Sequence, residues 1–177
     1  LGGNTRFFYS TDQGSTWSEG TVDFPCDGNG SAYALSPNYG IDGIIWGSCT
    51  GDGSVYQSRD RGESWVRKAV PGEATYAMSA IESGEAVLVG GSRGLLRVDA
   101  EGTLTEVGFV GEQIHGLAAA SDWGSDPTIV LVTARGRWAR STDGGSSWED
   151  LNPPAPGYFL DLVMSPDFSN DGVIVAG

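Results

Sequence analysis

Apolar and polar residues alternate along this chain in short runs, and no stretch shows a sustained helical period. From Ser31 onward, the runs Ala32–Leu35, Ile44–Gly47, Val55–Ser58 and Trp65–Val70 read as strands. Turn-forming segments separate them: Pro37 to Gly43, Gly51 to Gly53 and Asp60 to Gly62. The pattern predicts an all-β protein built from four-stranded antiparallel units.

The turns repeat. Ser10-Thr11-Asp12-Gln13-Gly14-Ser15-Thr16-Trp17 is matched by the segments Ser58 to Trp65 and Ser141 to Trp148, all fitting S-x-D-x-G-x-[ST]-W. The restricted positions are Ser10, Asp12, Gly14 and Trp17; Ser58, Asp60, Gly62 and Trp65; and Ser141, Asp143, Gly145 and Trp148. A worn copy from Arg97 to Leu104 keeps Asp99 but has neither the Ser nor the Trp. A second element, Leu35-Ser36-Pro37 running to Asp42-Gly43-Ile44, recurs as Met164-Ser165-Pro166 running to Asp171-Gly172-Val173, with weaker copies at Ser79 and Ser121. Serines 36, 79, 121 and 165 are 43, 42 and 44 residues apart. Periods of this size, each holding several short strands, predict a β-propeller.

The residue types of the first motif suit a strand–turn–strand corner. The Asp accepts backbone N–H bonds, the Gly supplies a positive φ, and the hydroxyls add local bonds. The Trp is large enough to anchor one sheet on its neighbour. The expected role is structural. These segments resemble the Asp-box, or BNR repeat, of sialidases, sortilin-type receptors, xyloglucan-cleaving glycosidases and photosystem assembly factors. The resemblance implies a propeller in which the box is framework, and it carries no specific activity or ligand.

Phase arithmetic predicts ring closure. Asp42 to Trp65 spans 24 residues, and the 7 from Asp171 to Gly177 with the 17 from Leu1 to Trp17 make up the same length. The expectation is four blades of about 43 residues, at 31–73, 74–115, 116–158, and 159–177 joined with 1–30, in a single domain 1–177. Half of an eight-bladed ring, or a piece of a larger propeller, would share the same repeats.

Composition narrows the function. Twenty-eight glycines among 177 residues, interspersed with Trp, Tyr, Val and Ile, fit tight turns rather than a linker. A net charge of −13 argues against nucleic-acid or anionic-membrane partners. No apolar stretch reaches the length of a spanning helix, so membrane insertion is not expected. Cys26 and Cys49 are 23 residues apart: in a cytosolic protein they read as two unpaired thiols, whereas in an exported domain the pair could close a disulfide. The expected location is secreted, periplasmic or cell-surface.

Candidate chemistry is sparse. A sialidase would show an arginine triad, a Tyr–Glu pair and an acid Asp. Arg6, Arg97 and Arg140 share a repeat phase, but they stand beside the box strands, where framework contacts are expected. Asp167, Ser169 and Asp171 have the oxygen spacing of the front half of a calcium loop, without the closing Glu. The alternative for this segment is an Asp-Gly hairpin with Phe168 folded over it. No other cofactor is implied. His115, the only histidine, has no nucleophile beside it in sequence. Trp123 and Tyr158, in loops, are candidate contact aromatics. The expected function is a non-enzymatic binding or scaffold module for a protein or glycan partner. A glycan-binding or glycan-cleaving propeller and a self-assembling homo-oligomeric subunit are the alternatives.

Overall fold

The computed structural model describes residues 7–20, 24–26, 30–152, 159 and 161–177. Strands β1 (Phe8–Tyr9) and β2 (Ser18–Glu19) form a hairpin. β3 (Gly30–Leu35), β4 (Ile45–Cys49), β5 (Val55–Ser58) and β6 (Val66–Ala69) form the first four-stranded sheet. The second holds β7 (Thr75–Ile81), β8 (Ala86–Gly91), β9 (Gly94–Asp99) and β10 (Leu104–Gly108). The third holds β11 (Ile114–Ala119), β12 (Ile129–Thr133), β13 (Trp138–Ser141) and β14 (Glu149–Leu151). β15 (Leu162–Met164) and β16 (Ile174–Ala176) pair as a final hairpin. Every pairing is antiparallel and runs in chain order within its sheet, as the alternating strands and turns predict.

The first strands stand side by side, β3 against β7, β7 against β11 and β11 against β15. Leu35, Met78, Ala119 and Met164, one from each, border a common cavity of about 350 Å³. The sheets therefore radiate from a shared axis, as propeller blades do.

Their second strands are sandwiched. β4, β8 and β12 are buried along their whole length, because packing covers both faces: β8 lies between the first and third sheets, β12 between the second sheet and the β15–β16 hairpin, and β4 between the second sheet and Phe24. This is why they read as unbroken apolar runs such as Ala86-Val87-Leu88-Val89, instead of alternating. Trp46, Val55, Val87, Val89 and Val98 fill the space between the first and second sheets. Leu88, Leu95, Ile114 and Leu131 fill that between the second and third. Each fully buried side chain of this kind contributes about 1.5–3 kcal/mol.

Two expectations are met only in part. β1–β2 and β15–β16 are separate two-stranded sheets, so the blade that the chain ends were expected to share is not formed among the described residues. Phe7 instead holds the first hairpin edge-on to Trp65, with ring centroids 5.8 Å apart. The serine phase marker also drifts. Strand register makes Leu35, Ser79, Ala119 and Met164 equivalent: across the second strand the first three line up with Ser58, Arg97 and Ser141, the first position of each aspartate motif, and Met164 faces Ile174 in the final hairpin. Ser36 and Ser165 lie one residue beyond that position, and Ser121 two. The second sheet replaces the Ser-Pro loop with a tight turn at Glu82–Gly84, which shifts the count.

Candidate functional site

The aspartate motifs form the turn between β1 and β2 and the turns between third and fourth strands of the first and third sheets, all with one geometry. Ser10, Ser58 and Ser141 each donate a hydroxyl proton to Oδ1 of Asp12, Asp60 or Asp143, at 2.8 Å in every copy. The same serine oxygen accepts the amide of Gly14, Gly62 or Gly145, again at 2.8 Å. Oδ1 of each aspartate accepts the amide of Thr16, Ser64 or Ser147 at 2.8 Å. Oδ2 takes that residue's hydroxyl. The donors hold the carboxyls of Asp12 and Asp143 at about 2, the Thr16 and Ser147 hydroxyls contributing most.

Gly14, Gly62 and Gly145 have φ of +83°, +92° and +93°. The preceding residues, Gln13, Arg61 and Gly144, are left-handed as well, at +61°, +61° and +70°. The serine as hub and this second left-handed position were not visible in the motif.

The tryptophans differ in their surroundings. Trp65 packs edge-on to Phe24 at 4.8 Å, and Trp148 packs edge-on to Phe109 at 4.9 Å. Trp17 was expected to anchor its sheet in the same way, but it is 65% exposed, with no described sheet on its side. In the worn copy Asp99 still accepts the Thr103 amide at 2.7 Å, while Arg97 replaces the serine hub and ion-pairs with Glu82 at 2.8 Å.

The Ser-Pro loops use a related arrangement. The Ser36 and Ser165 hydroxyls donate to Asp42 and Asp171 Oδ2 at 2.6 and 2.7 Å, and Oδ1 of each aspartate accepts the amide of Ile44 or Val173 at 2.9 Å. Each loop is a one-turn helix, Tyr39–Asp42 or Phe168–Asp171, closed by left-handed Gly43 or Gly172, rather than a two-residue hairpin. Of the calcium candidates, Asp167 accepts the Asn170 side-chain amide at 2.6 Å and Asp171 is engaged as above. Ser169 lies in the same helical turn. Among the described residues no three His, Cys, Asp or Glu side chains form a metal-binding group.

Both kinds of turn lie at one end of the sheets, where the Arg61 amide donates to the Gly43 carbonyl and the Gly144 amide to the Pro127 carbonyl. The opposite end carries the hairpins between second and third strands. There Cys26 and Cys49 are joined in a buried disulfide, with Cα atoms 5.7 Å apart. Beside it a cavity of about 310 Å³ is bordered by Asp52, Tyr56 and Arg67. At the third sheet, Arg137 lies over the Phe109 ring at 4.7 Å, with Nε 2.8 Å from Asp150 and a terminal nitrogen 3.0 Å from Glu112. These residues belong to no motif, and only their position in the hairpins identifies them.

The structure does not gather the phase-matched arginines. Arg97 pairs with Glu82 and Arg140 with Glu149 on their own sheets, while Arg6 lies outside the described residues. His115 meets the Tyr76 ring at 5.3 Å across β7 and β11. Trp123 is half-buried and packs on the core between the second and third sheets. Tyr158 lies outside the described residues.

Radial four-stranded sheets around an axial cavity define a β-propeller fold. Solved structures share it. A chain of a nidogen/laminin complex superposes with a TM-score of 0.70 at 12% identity, over 87% of this chain and 58% of that one. YCF48 bound to D1 peptide gives 0.59 at 22%, over 92% and 53%. The GH74 xyloglucanase from Xanthomonas campestris gives 0.52 at 20%, over 70% and 22%. The chain thus spans little more than half of the first two and under a quarter of the third. No family model and no curated protein matches the sequence.

Proposed function

We propose that this chain is a non-enzymatic propeller module of the Asp-box type that binds a polypeptide partner through its hairpin end. The observation that carries the reading is a pair of concave surfaces at the hairpin end, bordered by charged and aromatic side chains that no turn motif uses. The aspartates of the motifs are bound into turns at one end, while the other presents concave surfaces bordered by Arg67, Tyr56 and Arg93. Two of the similar structures, a nidogen/laminin complex and a peptide-bound YCF48, are assemblies with polypeptides, which supports a protein partner. The reading invokes no cofactor and no calcium.

An extracellular, periplasmic or cell-surface setting goes with this reading. The disulfide supports it, as does similarity to an extracellular domain from B. thetaiotaomicron, TM-score 0.64 at 13% identity over 91% of this chain and 21% of that one. We also read β15–β16 as the first two strands of a blade and β1–β2 as the last two, which fits a four-bladed ring, half of an eight-bladed ring, or part of a larger propeller.

Immobilised protein screened against a random peptide array and a carbohydrate array tests the function. Selective peptide binding is expected. Binding confined to sugars would replace this reading with the glycan one. Light scattering on the same sample reports whether one chain or more forms the particle.

A further inference from the structure

The third sheet shows how an outer inter-sheet space is closed. Trp148, five residues after Asp143, and Phe109, from the preceding strand connection, meet edge-on, and Arg137 lies on Phe109 between Glu112 and Asp150. The second sheet repeats this plan without its rings. Arg93 precedes Gly94 as Arg137 precedes Trp138, both at the start of the third strand. Glu106 stands seven residues after Asp99, as Asp150 does after Asp143.

The connections correspond as well. Gly72 and Gly111 have φ of +76° and +81°, and each donates its amide to a hairpin carbonyl of its own sheet, Asp52 or Arg93. Glu73 and Glu112 follow them. Two residues before them stand Val70 and Phe109, and at the tryptophan position stands Leu104. Both aromatic rings are therefore missing from the second sheet's version. In their place is a groove of about 500 Å³, floored by Leu95, Leu96 and Leu104 and flanked by Pro71 and Val110. Arg93, Glu73 and Glu106 border it. Arg93 has no side-chain partner among the described residues, and Glu73 meets only the Ser92 hydroxyl, at 2.9 Å.

We propose that this groove docks a polypeptide segment carrying an aromatic side chain beside a basic one, an inference that rests on the binding-module reading above. The aromatic ring enters where the rings of Trp148 and Phe109 lie one sheet further on, and its face meets the Arg93 guanidinium as Phe109 meets Arg137. The basic group faces Glu106 and Glu73, two carboxylates without a cation partner among the described residues. A basic partner also complements a chain of net charge −13.

Two probes test this in amide NMR titrations, N-acetyltryptophanamide and the dipeptide acetyl-Trp-Lys-amide. Both are expected to shift the amides of Gly94, Gly108 and Gly111, the dipeptide binding more tightly. Leu104→Trp fills the groove from within and should weaken both by at least about tenfold. Glu106→Gln, a surface change that leaves the fold intact, should weaken the dipeptide and leave N-acetyltryptophanamide unchanged. Shifts mapping elsewhere, equal affinity in the Leu104→Trp variant, or no dipeptide preference lost in Glu106→Gln would overturn the proposal. Array peptides that bind without touching these amides would defeat the groove and spare the binding-module reading, whereas an array with no peptide binder defeats both.

Discussion

The Trp46 indole nitrogen donates to the Gly84 carbonyl at 2.9 Å, tying the second strand of the first sheet to a turn of the second. Trp46 is fully buried, and the same carbonyl also accepts the Gln57 side-chain amide at 3.2 Å. Replacing Trp46 with Phe removes the donor and leaves a void. The expected cost is about 2 kcal/mol, read as a lower midpoint in urea unfolding followed by fluorescence of the other tryptophans. An unchanged midpoint would show that this bond does not couple the sheets.

Acid should loosen the aspartate turns. The carboxyls of Asp12 and Asp143 titrate at about 2 in the folded chain, below the ordinary 3.8, so the folded state favours their charged form. Their contribution is complete above the unfolded pKa and is lost as pH falls from about 4 towards 2. Urea midpoints measured at steps down this range should decline, and Asp143→Asn should decline less steeply than the parent. Equal slopes in the two proteins would exclude Asp143 as a source of the effect.

Gln13 has φ of +61° at the position that Gly144 fills in the third motif. A side chain there is strained, whereas glycine is not, although glycine gives the unfolded chain more freedom. Gln13→Gly is expected to raise stability by up to about 1 kcal/mol. Calorimetry of the variant decides the sign.

Reduction is expected to be costly at the hairpin end alone. The Cys26–Cys49 bond closes a loop between residues 23 apart, and breaking it should lower stability by about 3 kcal/mol. Thiol labelling of the unfolded protein should find no free sulfhydryl before reductant and two after it. Two free thiols without reductant would refute the bond.

Much of this architecture could be read from residue order. The aspartate turns, the positive φ of Gly62 and Gly145 and the radial four-stranded sheets follow from short-range patterns. What was not legible depends on pairing across distance. Ser79 and Ser36 look like the same landmark in sequence, yet the short turn at Glu82–Gly84 places Ser79 one position earlier in its strand. The equivalence of Arg93 and Arg137 appears only once strand register aligns their hairpins. Trp17 and Trp65 share a motif, but only the neighbouring Phe24 and Phe7 give Trp65 its anchoring contact.

Within each aspartate turn, every bond between the Ser hub, the Asp, the Gly and the Thr or Ser joins residues no more than four apart. Such a corner assembles without waiting for a distant strand, so its closure entropy is small and its formation is fast. During synthesis each sheet can acquire its outer bend as soon as that short segment leaves the ribosome, and then needs only the previously made sheet to bury its face. A chain built in this way lengthens by copying one unit, because each new unit arrives with its own fold-back already encoded.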